Sequence, residues 1–259
     1  MAYEAPKRLE LFALEGLPQV TPGADLAALI LAACERPGCG LLPGDIVVVA
    51  QKIVSKAEGR RVRLADVTAC AEATSLAART GKDSRLVELI LRESNSVLRV
   101  GREVLIVEHR SGWVLANAGI DQSNVGTDTP DTHALLLPID CDASALKLRQ
   151  ALAAACGHSP AVVIIDSIGR AWRRGTVGQT LGSAGLPVVV DLRGRQDLER
   201  RRLRASDLAL VDEVAAAASL LMGQADEARP VVIVRGLTVS NDADRAVALQ
   251  RAHHEDLFR

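Results

Sequence analysis

A chain of 259 residues with 48% hydrophobic and 24% charged residues has ample material for a buried core and too little charge to stay disordered. A net charge of -1 excludes the broad basic face of a non-specific nucleic-acid binder, and Tyr3, Phe12, Trp113, Trp172 and Phe258 are too few aromatics for a run of base-stacking platforms. The length fits one large domain or two interlocked lobes, so residues 1–259 are read as a single unit without an internal boundary.

Cys34, Cys39, Cys70, Cys141 and Cys156 are odd in number and contain no C-x-x-C pair, which argues for reduced thiols over a disulfide framework or zinc ribbon. The first residues lack a basic-then-apolar signal pattern, and no apolar run approaches the roughly 20 residues that span a bilayer. A cytoplasmic protein without a membrane or nucleic-acid partner is expected.

In chain order, Leu26, Leu29, Ile30 and Ala33 recur at helical spacing between Ala24 and Cys34, and Pro37 and Gly38 end the pattern. Ile46–Ala50 is a β-branched run that predicts a buried strand, and the following QKIVSKAEGR is expected to be too polar for the core. Helices over Val67–Arg79 and Ser84–Glu93 precede three short strands at Val97–Val100, Val104–Glu108 and Gly112–Ala116. Asp142 is expected to cap a helix that closes at Gly157. Strands follow at Ala161–Ile165 and Pro187–Val190, then an Ala-rich helix from after Ser206 to Gly223, then a strand at Val231–Val234. Helices and strands segregate in the first half and alternate in the second, which predicts an α+β fold with mixed sheets.

The segments with chemical promise share a form in which a strand hands over directly to polar groups. SKAEGR carries Lys56, a point charge for a phosphate or a solvated surface lysine. WVLANAGIDQSNVG crowds Asn117, Asp121, Ser123 and Asn124 after a strand, as a site for a hard cation does and as an Asx-rich turn also does. VVIID ends in Asp166, followed by Ser167, Arg170, Arg173 and Arg174, either a metal and phosphate site or a turn with surface arginines. Gly175, Gly178, Gly182 and Gly185 match neither a Walker A loop nor a dinucleotide fingerprint, and read as an anion cradle or, more simply, as close packing. The five histidines show no metal-ligand spacing.

Together, LEGLPQVTPGADL, GDIVVVAQKIVSKAEGR, ANAGIDQSNV, DSIGRAWRRGTVGQTLGSAG, LLMG and VVIVRGL resemble the gamma-glutamyl ligases of coenzyme F420 biosynthesis over nearly the whole chain. The resemblance implies a ligase that uses GTP and Mg2+ or Mn2+, with K+ as an accessory ion, to join L-glutamate to the lactyl carboxylate of F420-0. It also implies two interlocked lobes in an intertwined homodimer. Carried over by position, Asp121 and Asp166 hold one metal, and Ser167 and Gln224 contribute to a second. Leu17, Pro18, Gln19, Val20, Gln51, Lys52, Lys56, Asn124 and the run Met222, Gly223, Gln224, Ala225, Asp226, Glu227, Ala228 and Arg229 line the nucleotide site. Arg170 and Arg173, next to Asp166, are expected to act on substrate anions. The basic stretch from Arg193 to Arg204 departs from the family's pattern and motivates a rival reading, a related ligase with another carboxylate acceptor. A second rival is an inactive nucleotide-binding regulator, against which the retained Asp121, Asp166 and Asn124 speak.

Overall fold

The computed structural model describes residues 4–36, 39–123, 132–238 and 244–257. The chain opens with strand β1 (Glu10–Ala13), helix α1 (Leu26–Glu35), strand β2 (Ile46–Ala50) and helix α2 (Gln51–Ala57). Strand β3 (Arg61–Arg63), helices α3 (Ala71–Thr80) and α4 (Ser84–Arg92), and strands β4 (Ser94–Gly101), β5 (Val104–His109), β6 (Val114–Ala116) and β7 (His133–Leu135) follow. Helix α5 (Cys141–Cys156) leads to a long hairpin of β8 (Ala161–Arg170) and β9 (Arg173–Ala184). Strands β10 (Val190–Asp191) and β11 (Asp207–Leu208), helix α6 (Leu210–Met222) and strand β12 (Val231–Arg235) complete the elements used below.

The fold is mixed α and β with several sheets. The largest has the order β1-β12-β2-β8-β9, in which only β2 and β8 run parallel. Its central strands are buried on both faces, as their unbroken apolar runs require. Val47, Val49, Val162, Ile164, Val231 and Ile233 face α1 and α5, and the alternate residues Ile46, Val48, Val163, Ile165, Val232 and Val234 face α6. Arg235 ties the end of β12 to the entrance of β2, donating to both oxygens of buried Asp45 at 2.8 and 2.7 Å while its guanidinium stacks on Phe12.

The whole segment from β3 to β7 is inserted between β2 and β8 and has its own core, in which Leu76, Val87, Ile90, Leu105 and Val107 are central. Its α3 and α4 are fastened by Glu88, which accepts from the Cys70 N–H at 2.9 Å and from Arg92 at 2.8 Å. These bonds, the one from the Cys70 backbone foremost, hold the Glu88 carboxyl at about 2, below its ordinary 4.5. A depressed carboxylate stabilises the fold above its unfolded pKa and loses that contribution as pH falls through the folded one. Glu88→Gln should therefore melt a few degrees below the parent at pH 7, and the gap should close between about pH 4.5 and 2; a gap independent of pH would remove the charge from the account.

Four expectations are corrected. The first seven residues of QKIVSKAEGR are helix α2 (Gln51–Ala57) with Gln51, Ile53, Val54 and Ser55 buried, because its apolar residues turn to the core while the Ser55 hydroxyl donates to the Gln51 side chain at 2.9 Å. Asp140, not Asp142, caps α5 by accepting from the Ala143 N–H, and buried Asp142 instead accepts from the Ser183 and Ala246 N–H groups. Leu186 and Val188 are buried as expected, but only Val190 and Asp191 pair as a strand, since the Pro187 ring has no N–H for a ladder. Strand β8 does not end at Asp166 but continues to Arg170, paired throughout with β9.

Candidate active site

A cavity of about 830 Å³ lies where the C-terminal ends of the parallel strands β2 and β8 meet the inserted segment, the edge at which open α/β sheets receive ligands. The inserted segment contributes Asp121. After β6 the backbone makes a single tight turn in which Asn117, Ala118 and Gly119 all have positive φ, at 53, 57 and 66°. A left-handed Ala costs about 1–2 kcal/mol, and it persists here because Ala118 is fully buried and the Asn117 side chain accepts the Leu105 N–H at 3.0 Å. Asp121 then exchanges both backbone hydrogen bonds with Leu135, at 3.0 and 2.8 Å, which fixes where its carboxylate points.

The main sheet contributes Asp166, whose backbone pairs with Gln179 and whose carboxylate accepts the Ser167 N–H at 2.9 Å. Burial pushes this carboxyl up to about 6; the Asp121 charge adds to the shift, while the Ser167 N–H, Lys52 and the Gln51 side chain oppose it. Helix α2 starts directly after β2 and sends Gln51, Lys52 and Lys56 into the same space. Lys52 pairs with Asp121 at 2.5 Å. The Lys56 ammonium is depressed by burial first and by its neighbours Lys52 and Arg61 next.

Of the residues singled out in the sequence, Leu17, Pro18, Gln19, Val20, Gln51, Lys52, Lys56, Asp121, Asp166, Ser167 and the run from Met222 to Arg229 all line this cavity. Asn124 lies outside the described residues. Arg170 and Arg173 are not brought to it: they pair with each other across the β8–β9 turn, with Trp172 at the tip. The physical reason is the length of β8, since each further residue of strand carries the arginines about 3.3 Å from Asp166. Two glycines of β9 serve packing, Gly178 against the Ala215 carbonyl of α6 and Gly182 against the Cys141 carbonyl of α5, whereas Gly175 has open space around it. None of Arg193 to Arg204 lines the cavity; Arg193 is engaged by Asp191, and Arg201 by Asp197 and Glu199.

Ser123, Thr176 and Ser219 also line the cavity. Ser123 stands among the crowded oxygen donors of the sequence, whereas nothing local marks Thr176 or Ser219, which reach the cavity only through the pairing of β8 with β9 and the packing of α6 on it. Among the described residues no group of three or more His, Cys, Asp or Glu side chains could hold a metal. Two carboxylates with hydroxyl and amide oxygens beside them still fit a hard cation such as Mg2+, which typically takes one or two carboxylates and completes its shell with water and ligand phosphates.

A family model described as F420-0:Gamma-glutamyl ligase matches residues 16–236. The chain belongs to this family. A protein of Methanothermobacter thermautotrophicus named Coenzyme F420:L-glutamate ligase is 48% identical over 228 residues, covering 88% of this chain and 89% of that protein. Proteins of the same name from Methanopyrus kandleri and Archaeoglobus fulgidus are 44% and 39% identical over 245 and 252 residues, covering 93% and 97% of this chain and 94% and 97% of those proteins. The family match spans every segment that builds the cavity, from the strap at Leu17 to the loop at Arg229.

Proposed function

We propose that this protein is a GTP- and divalent-metal-dependent ligase that forms an amide bond between L-glutamate and the carboxylate of F420-0 through an acyl phosphate. The observation that carries the reading is the convergence of Asp121 and Asp166, from separate parts of the chain, on one cavity with Lys52 and Lys56. Membership of the family supports the choice of acceptor and amine.

In this reading the strap from Leu17 to Val20 and the loop from Met222 to Arg229 enclose the nucleotide, and Lys52 and Lys56 hold its phosphates as point charges. Asp121 and Asp166 would hold Mg2+ or Mn2+, with Ser167 and Gln224 at a second ion and K+ as an accessory. When bound, the divalent ion neutralises charge on the transferring phosphoryl group. The acceptor carboxylate takes the γ-phosphoryl group as GDP leaves, and the glutamate amine then displaces inorganic phosphate from the acyl carbon. Neither step needs a protein nucleophile, so the work of the chain is positioning, charge placement and exclusion of water from a hydrolysable intermediate.

A cytoplasmic location is part of the same proposal; no helix among the described residues is long and apolar enough to cross a membrane. The intertwined homodimer of interlocked lobes is part of the same proposal, supported by Trp172, 88% exposed at the tip of the β8–β9 hairpin, and by exposed Leu220 on α6. Incubation of the purified protein with F420-0, L-glutamate, Mn2+ and either GTP or ATP, with and without K+, followed by mass spectrometry, tests the function. One or more added glutamyl units with release of GDP is the expected result. Nucleotide binding without turnover would favour a regulator, and glutamylation of a different carboxylate alone would replace the acceptor.

A further inference from the structure

Lys52 leaves the first turn of α2 and seats its ammonium on oxygen atoms. Its Nζ lies 2.5 Å from Asp121 Oδ2, 3.1 Å from Ser123 Oγ and 3.5 Å from the Ser123 carbonyl. The other Asp121 oxygen accepts the Ser123 N–H at 2.7 Å and its hydroxyl at 2.8 Å, so both carboxylate oxygens are engaged. The Lys52 charge also acts on Asp166, which lines the same cavity. Both partners of the ion pair are largely shielded, with side chains 28% and 26% exposed.

A carboxylate, a hydroxyl and a carbonyl oxygen around one positive centre, with a second carboxylate beside it, is the ligand chemistry of a hard divalent cation. Here an ammonium occupies it. Lys52 and Lys56 on α2 face Asp121 and Asp166, with Asp226, Glu227 and Arg229 also lining the cavity, and Lys56 is depressed by burial first and by the Lys52 charge next. A divalent ion that enters this locus meets a cation already seated on its oxygens. Nucleotide phosphates relieve that conflict, because they give Lys52 an alternative anion to hold.

We infer that Lys52 is a resident counter-ion of the metal locus, displaced from Asp121 to the nucleotide phosphates when metal and nucleotide enter together. The inference rests on the proposed reading of Asp121 and Asp166 as metal carboxylates. It makes Lys52 a positioning residue that couples two ligands, and linkage then requires that metal and nucleotide each strengthen the binding of the other.

The test is Mn2+ binding to the full chain, followed by the electron paramagnetic resonance signal of free Mn2+ at fixed ionic strength, with and without a non-hydrolysable GTP analogue. The parent should bind Mn2+ weakly alone and at least about tenfold more tightly with the analogue. Lys52→Met keeps the apolar stem and removes the charge. It should bind Mn2+ alone at least about tenfold more tightly than the parent, so that the gain on adding the analogue shrinks to what direct phosphate contact with the ion supplies. Lys52→Gln serves as a second uncharged variant with the same expectation, and Lys52→Arg should restore the exclusion. Circular dichroism confirms that each is folded. Equal or weaker Mn2+ binding by both uncharged variants overturns the role of Lys52. Asp121→Asn and Asp166→Asn are titrated in parallel: if neither weakens Mn2+ binding, the metal reading of the cavity itself falls, which separates that failure from the first.

Discussion

Asp166→Asn should lower kcat/KM for amide-bond formation by at least about a thousandfold, roughly 4 kcal/mol of transition-state stabilisation, while the protein stays folded. Asn has nearly the same shape, and the position is set by backbone pairing with Gln179, so geometry survives and only the charge is lost. That charge is expensive where it stands, since burial and the neighbouring Asp121 both resist ionisation of the carboxyl. A half-buried carboxylate kept against such a cost has its return in a bound cation, which is the usual relation between strained active sites and stability. Removing it should therefore leave the melting temperature of the metal-free protein unchanged or higher. Asp121→Asn should lose activity similarly, but it also strips Lys52 of its ion pair. Near-normal turnover of Asp166→Asn at limiting metal would return that residue to a structural role.

Gly182→Ala should destabilise the fold by about 3 kcal/mol, lowering the melting temperature by roughly 5–10 °C in a chain of this size. A Cβ at this position would overlap the carbonyl carbon and oxygen of Cys141, the first residue of α5. Backbone at a helix start cannot swing aside as a side chain does, so β9 and α5 would have to separate, opening the packing on which buried Asp142 and Ser183 depend. Gly175→Ala is the control. Gly175 has φ +87° and open space around it, so the added methyl costs only the left-handed conformation, about 1 kcal/mol. Thermal melts of the two variants measure the contrast. Equal, small losses, accompanied by weaker nucleotide binding, would instead mean that the glycine run cradles an anion.

The strands and helices with uninterrupted periodicity were legible in advance: Ile46–Ala50 is strand over the whole predicted range, and the Ala-rich helix closes at Gly223 as expected. The β8–β9 hairpin was not, because Asp166, Ser167 and Gly169 on one strand and Gly175 and Gly178 on the other interrupt the β-branched alternation that marks a strand. Their ladder is held by backbone pairing and by packing on α5 and α6, which local sequence does not display. Helix α2 was hidden for a related reason. Its polar residues face a cavity instead of solvent, and a polar segment reads the same from sequence in either case. The cavity-lining residues were legible through motif resemblance, whereas Thr176 and Ser219 depend on contacts between distant segments. Arg170 and Arg173 show the converse limit, since adjacency to Asp166 in sequence becomes separation once the strand between them is extended.

The insertion of the β3–β7 segment between two adjacent parallel strands has a consequence for how the chain folds. Pairing β2 with β8 joins residues 115 apart, as in Ile46 with Ala161, and closing so long a loop from an unstructured chain carries an entropy cost that grows with the logarithm of its length. The inserted segment has its own core and is gathered at its base by the short β3–β7 pair, where Arg61 lies opposite Leu135. Once that base is formed, the effective loop between β2 and β8 shrinks to a few dozen residues of remaining chain. A route in which the insert folds first thus lowers the barrier to the central pairing, and core substitutions such as Leu105→Ala would slow refolding of the main sheet although they lie outside it. The neck that brings Asp121 to Asp166 in the folded protein also sets the order in which the two are brought together.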